Sequence, residues 1–487
     1  MKRAFLALSA ASLALSACAN PELTAALSQR EPGFAAVRQT AGAATGAETV
    51  FLQDAQSIRA TQARVHQMVH QRTIGADTAV QVALLNNRGL QASYAELGMT
   101  AAEIWQTTMQ PNPKVSVALL GINADGMAWR AVEGMIANNI LALATAERRN
   151  RLAEARFRQA QLRAAEETLR IATQTRLAWI DAVAAFEAGA LVRDAETTAD
   201  AQSAMTEELG RTGFLNRAGQ ARDQALHAEL AGQRARARLD AQIAKERLTR
   251  LMGLWGTETE YFVPDALPAM PARAGTTRDV EAQALQRRVD LVQARLELEA
   301  VAAEHGLENA TRSVSDLELI SGFETEREKS GAGIETRTTP QLEVEFAIPI
   351  FDSGQARLRR AELAYLRAAH QLAERAVAVR SEARAAQAEL AGAHQIAQHY
   401  RETLVPLRAL VESETLRAYN GMIESPAELL DAIRARMSAQ LTEAAARADY
   451  WRASARMTAA IYGGGEGGAA GSAGGAPAMA TGGGAGH

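Results

Sequence analysis

Three carboxylates follow the turn Tyr419-Asn420-Gly421 at spacings of four and three: Glu424, Glu428 and Asp431. Residues three and four apart lie on one face of a helix, so this spacing predicts a single acidic surface. Such a surface could attract cations. The alternative is a solvated helix start, because acidic side chains also complement the positive end of the helix dipole.

A second set of residues could bind a metal. His66 and His70 flank Met68 and lie one helical turn apart, which suits a soft metal ion. Two residues are too few for a site and no cysteine completes it, so we predict neither a metal nor another cofactor. Adjacent acids such as Glu166 and Glu167 fit solvated helix faces. The sequence has no glycine-rich phosphate loop, nucleophile elbow or histidine-glutamate zinc motif, and no residues support an enzyme.

The amino terminus predicts export and a lipid anchor. Lys2 and Arg3 precede an apolar run of about a dozen residues, which resembles a secretory signal and is too short to span a bilayer. Leu15-Ser16-Ala17-Cys18 matches the lipobox of bacterial lipoproteins, in which the cysteine is lipidated; the alternative is an ordinary cleavage site with an accidental cysteine. Cys18 is the only cysteine, so a lipid thioether there would leave none for disulfides. Ala19, where aspartate would retain a lipoprotein in the inner membrane, favours the outer membrane.

The composition predicts long helices rather than a large aromatic core. The 487 residues are 47% hydrophobic but only 5% aromatic, and alanine, leucine, arginine and glutamate are abundant. Between Asn139 and Gly210 there is no proline, and a helix of that length would be ~105 Å long, as in coiled coils and helical barrels. Without Lys2 and Arg3 the charge of -4 becomes -6, since 50 basic residues face 56 acidic ones. No nucleic-acid surface is therefore predicted.

Two cycles of the same elements follow one another along the chain: a helical segment, a β-hairpin and a long antiparallel helical hairpin. Strands are predicted where apolar residues alternate with others, and long helices where proline and glycine are rare. The first cycle is predicted over 48–263, with its β-hairpin at about 113–137 and its helical hairpin at about 139–253. The second cycle is predicted over 278–462, with its β-hairpin at about 314–350 and its helical hairpin at about 355–461. The other predicted segments are a signal peptide 1–17, a lipid-anchored tether 18–47, a linker 264–277 and a disordered tail 463–487 rich in glycine and alanine.

The alternation is clearest in the last predicted strand, where Leu342, Val344, Phe346 and Ile348 occupy every second position. They alternate with Gln341, Glu343, Glu345 and Ala347. One face of this strand is therefore expected to be apolar and the other wet.

The two cycles form an internal repeat, because Leu90 and Leu97 align with Leu291 and Leu298 at an offset of 201 residues. Each copy supplies two strands, and four strands cannot close a barrel. An open sheet edge is excluded from a membrane because its backbone polar groups would have no partners. Three copies of the chain would supply twelve strands and close the barrel.

The motifs, taken in order, resemble the TolC family of outer-membrane efflux ducts. They lie between about residues 80 and 462 and comprise Asn86-Asn87-Arg88-Gly89-Leu90, Leu251-Met252-Gly253, Arg288-Val289-Asp290-Leu291, Ile348-Pro349-Ile350-Phe351-Asp352-Ser353-Gly354, Tyr419-Asn420-Gly421 and Leu429-Leu430-Asp431-Ala432. The resemblance implies a mainly α fold with a small β part. Long antiparallel helical hairpins would form a trimeric α-helical barrel, and four strands per chain would contribute to a twelve-stranded transmembrane β-barrel.

The resemblance also implies partners and sites. A homotrimer in outer-membrane lipid would dock a periplasmic adaptor protein that connects it to an inner-membrane pump. Repeated by threefold symmetry, Glu424, Glu428 and Asp431 would form acidic rings at the periplasmic gate. The residues expected at the adaptor-docking tips are Arg211, Thr212, Gly213, Tyr419, Asn420 and Gly421. The glycines are expected to turn the chain through positive φ, and a turn without a docking role is the alternative.

The sequence thus predicts the exit duct of a tripartite efflux system and not an enzyme. Two alternatives stay open: the outer component of type I protein secretion, which uses a similar duct, and a lipid-anchored coiled-coil scaffold without a pore. The alternation from Leu342 to Ile348 favours the duct, since a scaffold needs no strand with one face suited to lipid.

Overall fold

The computed structural model describes residues 21–123, 128–211, 217–273, 275, 279–312, 314, 316–330, 333–348, 350–421 and 423–465. These residues fall into two compact units. The first contains residues 21–36, 94–164 and 291–376, and the second contains 37–93, 165–290 and 377–465. Each unit takes segments from both predicted cycles, so the repeat does not correspond to two separate halves of the fold. Among the helices in this part of the chain, none combines the length and apolar character needed to cross a bilayer.

The elements follow the predicted order of helices, β-hairpin and helical hairpin, twice over. In chain order they are α1 Pro21–Leu27, α2 Phe34–Thr45, α3 Ala55–Val69, α4 Ala76–Asn86, α5 Arg88–Thr108, β1 Lys114–Leu120, β2 Ala131–Asn139, α6 Ile140–Ala144, α7 Ala146–Arg211, α8 Arg217–Met252, a short 3-10 turn Gly256–Thr259, α9 Val280–Arg287, α10 Val289–Thr311, β3 Leu317–Ser330, β4 Gly333–Phe346, α11 Gln355–His399, a π turn Tyr400–Leu404, α12 Val405–Asn420 and α13 Pro426–Tyr462.

The four strands form one antiparallel sheet in the order β1-β2-β3-β4. In this topology every strand joins its flanking helix at the same end of the sheet, and both hairpin turns lie at the other end. Strands β3 and β4 have 14 residues each, against 7 in β1 and 9 in β2. The β3–β4 hairpin therefore extends beyond the neighbouring hairpin on the side of the turns.

The register gives the sheet two unlike faces. Val117 pairs with Gly134, Gly134 with Phe323, and Phe323 with Pro340, and residues paired in this way share a face. That face, here called the apolar face, carries the exposed side chains of Val115, Val117, Leu119, Phe323, Leu342, Val344 and Phe346. The alternation predicted for the last strand thus runs to Phe346, where the strand ends.

Strand β2 ends at Asn139, two residues after the predicted end of the hairpin. The side chain of Asn139 accepts a hydrogen bond of 2.7 Å from the N–H of Ala142 and caps helix α6. The strand therefore passes directly into a helix without an intervening turn.

Two of the sequence motifs meet in a joint of the second unit. Nδ2 of Asn86 donates to the carbonyl oxygens of Met252 at 3.1 Å and Gly253 at 2.8 Å, and Nδ2 of Asn87 donates to that of Leu251 at 2.8 Å. Gly253 has a φ of +67°, and a Cβ there would lie 2.7 Å from the carbonyl oxygen of Asn86. Both the asparagines and the glycine are thus required by the same close contact.

The joint has a counterpart 201 residues later, where the helical segment that opens the second predicted cycle is divided into α9 and α10. Arg288 separates α9 from α10 with φ -70° and ψ 118°, and Asn87 separates α4 from α5 with φ -64° and ψ 118°. The buried guanidinium of Arg288 donates to Asp290 at 2.9 Å and pairs with Glu382. These ion pairs stabilise the break at Arg288, whereas hydrogen bonds from asparagine amides stabilise the break at Asn87.

Two further expectations need correction. Residues 18–47 are not simply a tether, since α1 and α2 form there and the buried ring of Phe34 packs edge-on against Tyr94, with centroids 4.8 Å apart. The first arm of the helical hairpin predicted over about 355–461 is interrupted by the π turn Tyr400–Leu404. Pro406 lies just beyond it and has no N–H to donate to the preceding turn, which accounts for the local irregularity.

We expect Asn86→Ala to lower the thermal unfolding midpoint of the purified protein, because the buried bond to the Met252 carbonyl and the half-buried bond to the Gly253 carbonyl lose their donor. An unsatisfied buried carbonyl costs about 1–3 kcal/mol. Differential scanning calorimetry would measure the shift. Asn112→Ala, at an exposed position, is the matched control. Equal midpoints for Asn86→Ala and the control would contradict this role of the joint.

Candidate gate and docking tips

The acidic residues lie where α13 begins, and this end of the helix packs against α7 and α8 in the second unit. Leu430 of α13 joins a buried cluster with Ala199 of α7 and with Leu226 and Leu230 of α8. Leu430 is 7% exposed, whereas its neighbours Glu428 and Asp431 are exposed. Burial of one face therefore orients the carboxylates away from the helix contacts.

Glu428 has a structural role that explains part of the acidic pattern. Ser425 and Glu428 form a capping box: the Ser425 hydroxyl accepts from the N–H of Glu428 at 3.3 Å, and the Glu428 carboxylate accepts from the N–H of Ser425 at 2.9 Å. Pro426 occupies the first helical position, where its missing N–H has no helical partner to lose. The helix-start alternative to a gate thus accounts for the location of Glu428.

Glu424 and Glu428 also affect each other's ionisation. The pKa of Glu424 is raised, first by its hydrogen bond with the Glu428 side chain and then by the like charge of that carboxylate. The pKa of Glu428 is lowered, first by the hydrogen bond from Glu424 and then by those from Ser425. The two carboxyls therefore titrate as a pair, with Glu424 protonated first as pH falls.

Asp431 is separate from this pair and faces a cation. The Arg434 guanidinium lies 3.8 Å from the Asp431 carboxylate and 3.4 Å from that of Glu229 on α8. The structure thus brings two of the three predicted acids together and places the third beside an arginine. Arg434 was not among the predicted residues, although its spacing of three from Asp431 was the available signal.

The turn at the predicted docking tips differs from the expectation at Gly421. Gly421 has a φ of -82°, so the expected positive φ is wrong at this position. The turn closes instead through hydrogen bonds from the N–H of Gly421 to the carbonyl of Arg417 at 3.0 Å and from Ile423 to Ala418 at 2.9 Å. These bonds need no left-handed residue.

The exposed groups at the tips are both polar and apolar. Asn420 is exposed, Tyr419 is half-buried, and Ile423 is 81% exposed. The guanidinium of Arg211 pairs with Glu207 at 3.0 Å on its own helix. Thr212, Gly213 and Cys18 lie outside the described residues.

His66 and His70 stack with ring centroids 4.5 Å apart, and Nδ1 of His70 lies 3.2 Å from the carbonyl oxygen of Thr257. In the part of the chain that the structure describes, no group of three or more histidine, cysteine, aspartate or glutamate side chains could hold a metal.

Comparison with solved structures identifies the fold. The Campylobacter jejuni CmeC outer membrane channel superposes with a TM-score of 0.65 at 16% identity, over 80% of this chain and 86% of CmeC. The Vibrio cholerae outer membrane protein VceC gives 0.61 at 16%, over 83% and 98%. The open state of the Neisseria gonorrhoeae MtrE outer membrane channel gives 0.61 at 15%, over 79% and 88%.

No protein-family model and no curated protein matches the sequence itself. At these identities the likeness establishes the fold, which is that of outer membrane channels. The resemblance to the TolC family is therefore confirmed at the level of the fold, and the structures that share it are channels rather than enzymes.

We expect Ser425→Ala to speed hydrogen exchange at the start of α13, because losing an N-cap destabilises the first turn by about 1 kcal/mol, equivalent to about fivefold in rate. Mass spectrometry of peptides covering residues 425–432 would measure this change. Ser413→Ala is the control, since the Ser413 hydroxyl bonds the carbonyl of Leu410 within α12 and caps nothing. Unchanged exchange in Ser425→Ala would contradict the capping role.

Proposed function

We propose that this chain is a member of the TolC family and forms the outer-membrane exit duct of a tripartite efflux system. The observation that supports this most strongly is the four-stranded sheet, which has an exposed apolar face and two edge strands within a fold otherwise seen in outer membrane channels. A large exposed apolar surface of this kind needs lipid or protein to cover it.

Closure of the sheet is the first element of the proposal. Strands β1 and β4 are edges in a single chain, and their outward backbone groups would be unsatisfied in a membrane. Three copies, with β4 of each beside β1 of the next, give twelve strands and a closed barrel. The homotrimer is thus the assembly that meets the hydrogen-bonding requirement.

Lipid anchoring at Cys18 is the second element. Three acylated chains would each add ~0.8 kcal/mol of membrane affinity for every buried methylene. The anchor places the mature chain in the outer membrane with its helices in the periplasm. A periplasmic adaptor protein would dock at the helical tips and connect the duct to an inner-membrane pump.

The carboxylates of Glu424, Glu428 and Asp431 are the third element. In a trimer, exposed acids at the start of α13 would face the periplasmic mouth as rings and attract cations. The capping role of Glu428 does not conflict with this, because its carboxylate stays exposed.

Removing these charges is expected to weaken cation block of the reconstituted pore. Glu428→Gln preserves the capping box, which accepts glutamine, and Asp431→Asn preserves shape, so only charge is lost. Block of planar-bilayer currents by a multivalent cation should become roughly fivefold weaker in the double variant. Glu374→Gln, at an exposed position on α11, should leave block unchanged.

The same recordings test the carboxyl pair through pH. A raised pKa means that Glu424 loses its charge first on acidification, whereas the lowered pKa of Glu428 keeps it charged to lower pH. Block in the unmodified pore should therefore weaken in two steps as pH falls, and Glu428→Gln should shift the Glu424 step to lower pH. If cation block in the Glu428→Gln and Asp431→Asn variants matched that of the unmodified pore at every pH, the acidic rings would be rejected.

Contact of the tips with an adaptor can be tested by crosslinking in cells. A photo-crosslinking residue at Thr212 or Asn420 should trap the adaptor, whereas one at Gln371, an exposed position on α11, should not. Crosslinked partners would be identified by mass spectrometry. Equal yields at all three positions, or trapping only at Gln371, would place the partner surface elsewhere.

A further inference from the structure

The two faces of the sheet differ in charge as sharply as in polarity. The strand register places all of the sheet's glutamates on the face opposite the apolar face: Glu133, Glu318, Glu324, Glu326, Glu328, Glu335, Glu343 and Glu345. The apolar face carries Arg327 and Lys329 within its strands, and Arg130 continues it just before β2. Along these described strands the charges on the apolar face are thus all positive.

These cations lie together at the end of the sheet that carries the hairpin turns. The N–H of Arg327 donates to the carbonyl of Arg130 at 2.7 Å, and the N–H of Arg130 donates to the carbonyl of Leu120 at 2.9 Å. Lys329 follows on β3, opposite Ile334. Backbone pairing therefore fixes the spacing of the basic side chains, here called the basic rim.

Two packing contacts orient the rim. The guanidinium carbon of Arg327 lies 3.7 Å from the centroid of the Trp129 ring, a cation–π contact, and its Nε is buried without a hydrogen-bond partner in the described part of the chain. Arg130 packs across Gly121, where an added Cβ would lie 2.7 Å from the Cβ of Arg130. Arg130 and Arg327 are therefore positioned by their neighbours rather than by solvent alone.

The distance along the sheet matches a membrane boundary. Leu317 begins β3 at the helix end, and Arg327 follows ten residues later. At ~3.4 Å per residue and a strand tilt of ~40°, this corresponds to a height of ~26 Å, close to the ~25 Å apolar band of outer-membrane barrels. With the apolar face in hydrocarbon, the basic rim and Trp129 lie at the headgroup level, where tryptophan is enriched.

We infer that the basic rim binds the phosphate groups of outer-leaflet lipid, an inference that rests on the proposed membrane insertion. The helices continue from one end of the sheet and lie in the periplasm under that proposal, so the hairpin turns face the cell surface. Arginine and lysine at a lipid boundary form charge-assisted hydrogen bonds with phosphate. Lipid phosphates at each of three rims would secure the barrel where its aromatic residues are few.

Thermal stability of the purified full chain measures this binding. Addition of bisphosphorylated lipid A in mixed micelles should raise the unfolding midpoint, and its concentration dependence gives an apparent Kd. In Arg327→Gln with Lys329→Gln the apparent Kd should weaken by about tenfold or more, since bonds to charged groups are lost. Arg337→Gln is the matched control, because Arg337 pairs with Glu326 one residue along the same hairpin but on the opposite face. Lys329→Gln alone should shift the Kd in the same direction and serves if the double variant does not fold.

Three outcomes would overturn the inference. Dephosphorylated lipid A could stabilise the protein equally well, inorganic phosphate alone could reproduce the stabilisation, or Arg337→Gln could weaken binding as much as the double variant. Planar-bilayer recordings of the same preparations separate this inference from the function. If the protein forms pores but lipid phosphate does not stabilise it, the lipid-binding role of the basic rim is refuted and the duct is not. If the protein forms no pores, the proposed duct itself is refuted.

Discussion

The unpaired outer edges of β1 and β4 impose the constraint on which the rest of this structure depends. Within the described residues each of these strands pairs with one neighbour only, and the sheet exposes a continuous apolar face. Water would solvate the edges but not the face, and lipid would cover the face but not the edges. Under the proposed function, closure of the sheet with further strands inside a membrane would meet both requirements.

The helical part shows how a chain poor in aromatic residues is held together. Alanine lets helices approach closely, and specificity comes from polar contacts at their borders. Arg447 and Arg452 of α13 pair with Glu187 and Asp181 of α7, respectively. Burial raises the pKa of Glu187, whose carboxylate also accepts from the N–H of Leu267 at 3.2 Å. Glu187 is buried, so loss of its arginine partner would leave an unpaired charge in the helix contact.

The two joints provide the same backbone break with different chemistry. At Asn87 the break is stabilised by amide hydrogen bonds to the end of α8, and at Arg288 by ion pairs to Asp290 and Glu382. Gly253 lies just after α8 and Gly463 just after α13. Both glycines have positive φ, +67° and +103° respectively. The internal repeat thus preserves geometry while the residues that produce it have diverged.

Periodicity predicted the elements whose cause is local. The alternation from Leu342 to Phe346 predicted strand β4 and its apolar face, and the long run without proline predicted helix α7. The break at Arg288 was missed because its cause is a contact with Glu382, far away in sequence, although the 201-residue offset from Asn87 was a usable signal. The helices α1 and α2 were not predicted because their sequence is mostly small and polar. A few apolar residues, such as Phe34, stabilise them through burial that the local sequence does not show.

The candidate site was predictable only in part, for the same reason. The spacing of four placed Glu424 near Glu428, but Glu424 precedes the N-cap Ser425, so the prediction that it shares a helix face with the other acids is wrong. The capping box and the arginine beside Asp431 depend on side-chain geometry that spacing does not specify. The φ of Gly421 shows the limit most clearly. A glycine in a turn permits positive φ without requiring it, and here hydrogen bonds to Arg417 and Ala418 close the turn otherwise.

Closure of the sheet by two further copies is the central claim, and disulfide trapping between edge strands measures it most directly. One cysteine would replace Val117 on β1, and a second would replace Leu342, Val344 or Phe346 on β4, in a chain whose own cysteine is Cys18. Oxidised outer membranes should give, for at least one pair, a covalent ladder that ends at three chains on denaturing gels. A ladder that ends at two chains, one that continues beyond three, or the absence of any linked species would contradict the twelve-stranded barrel.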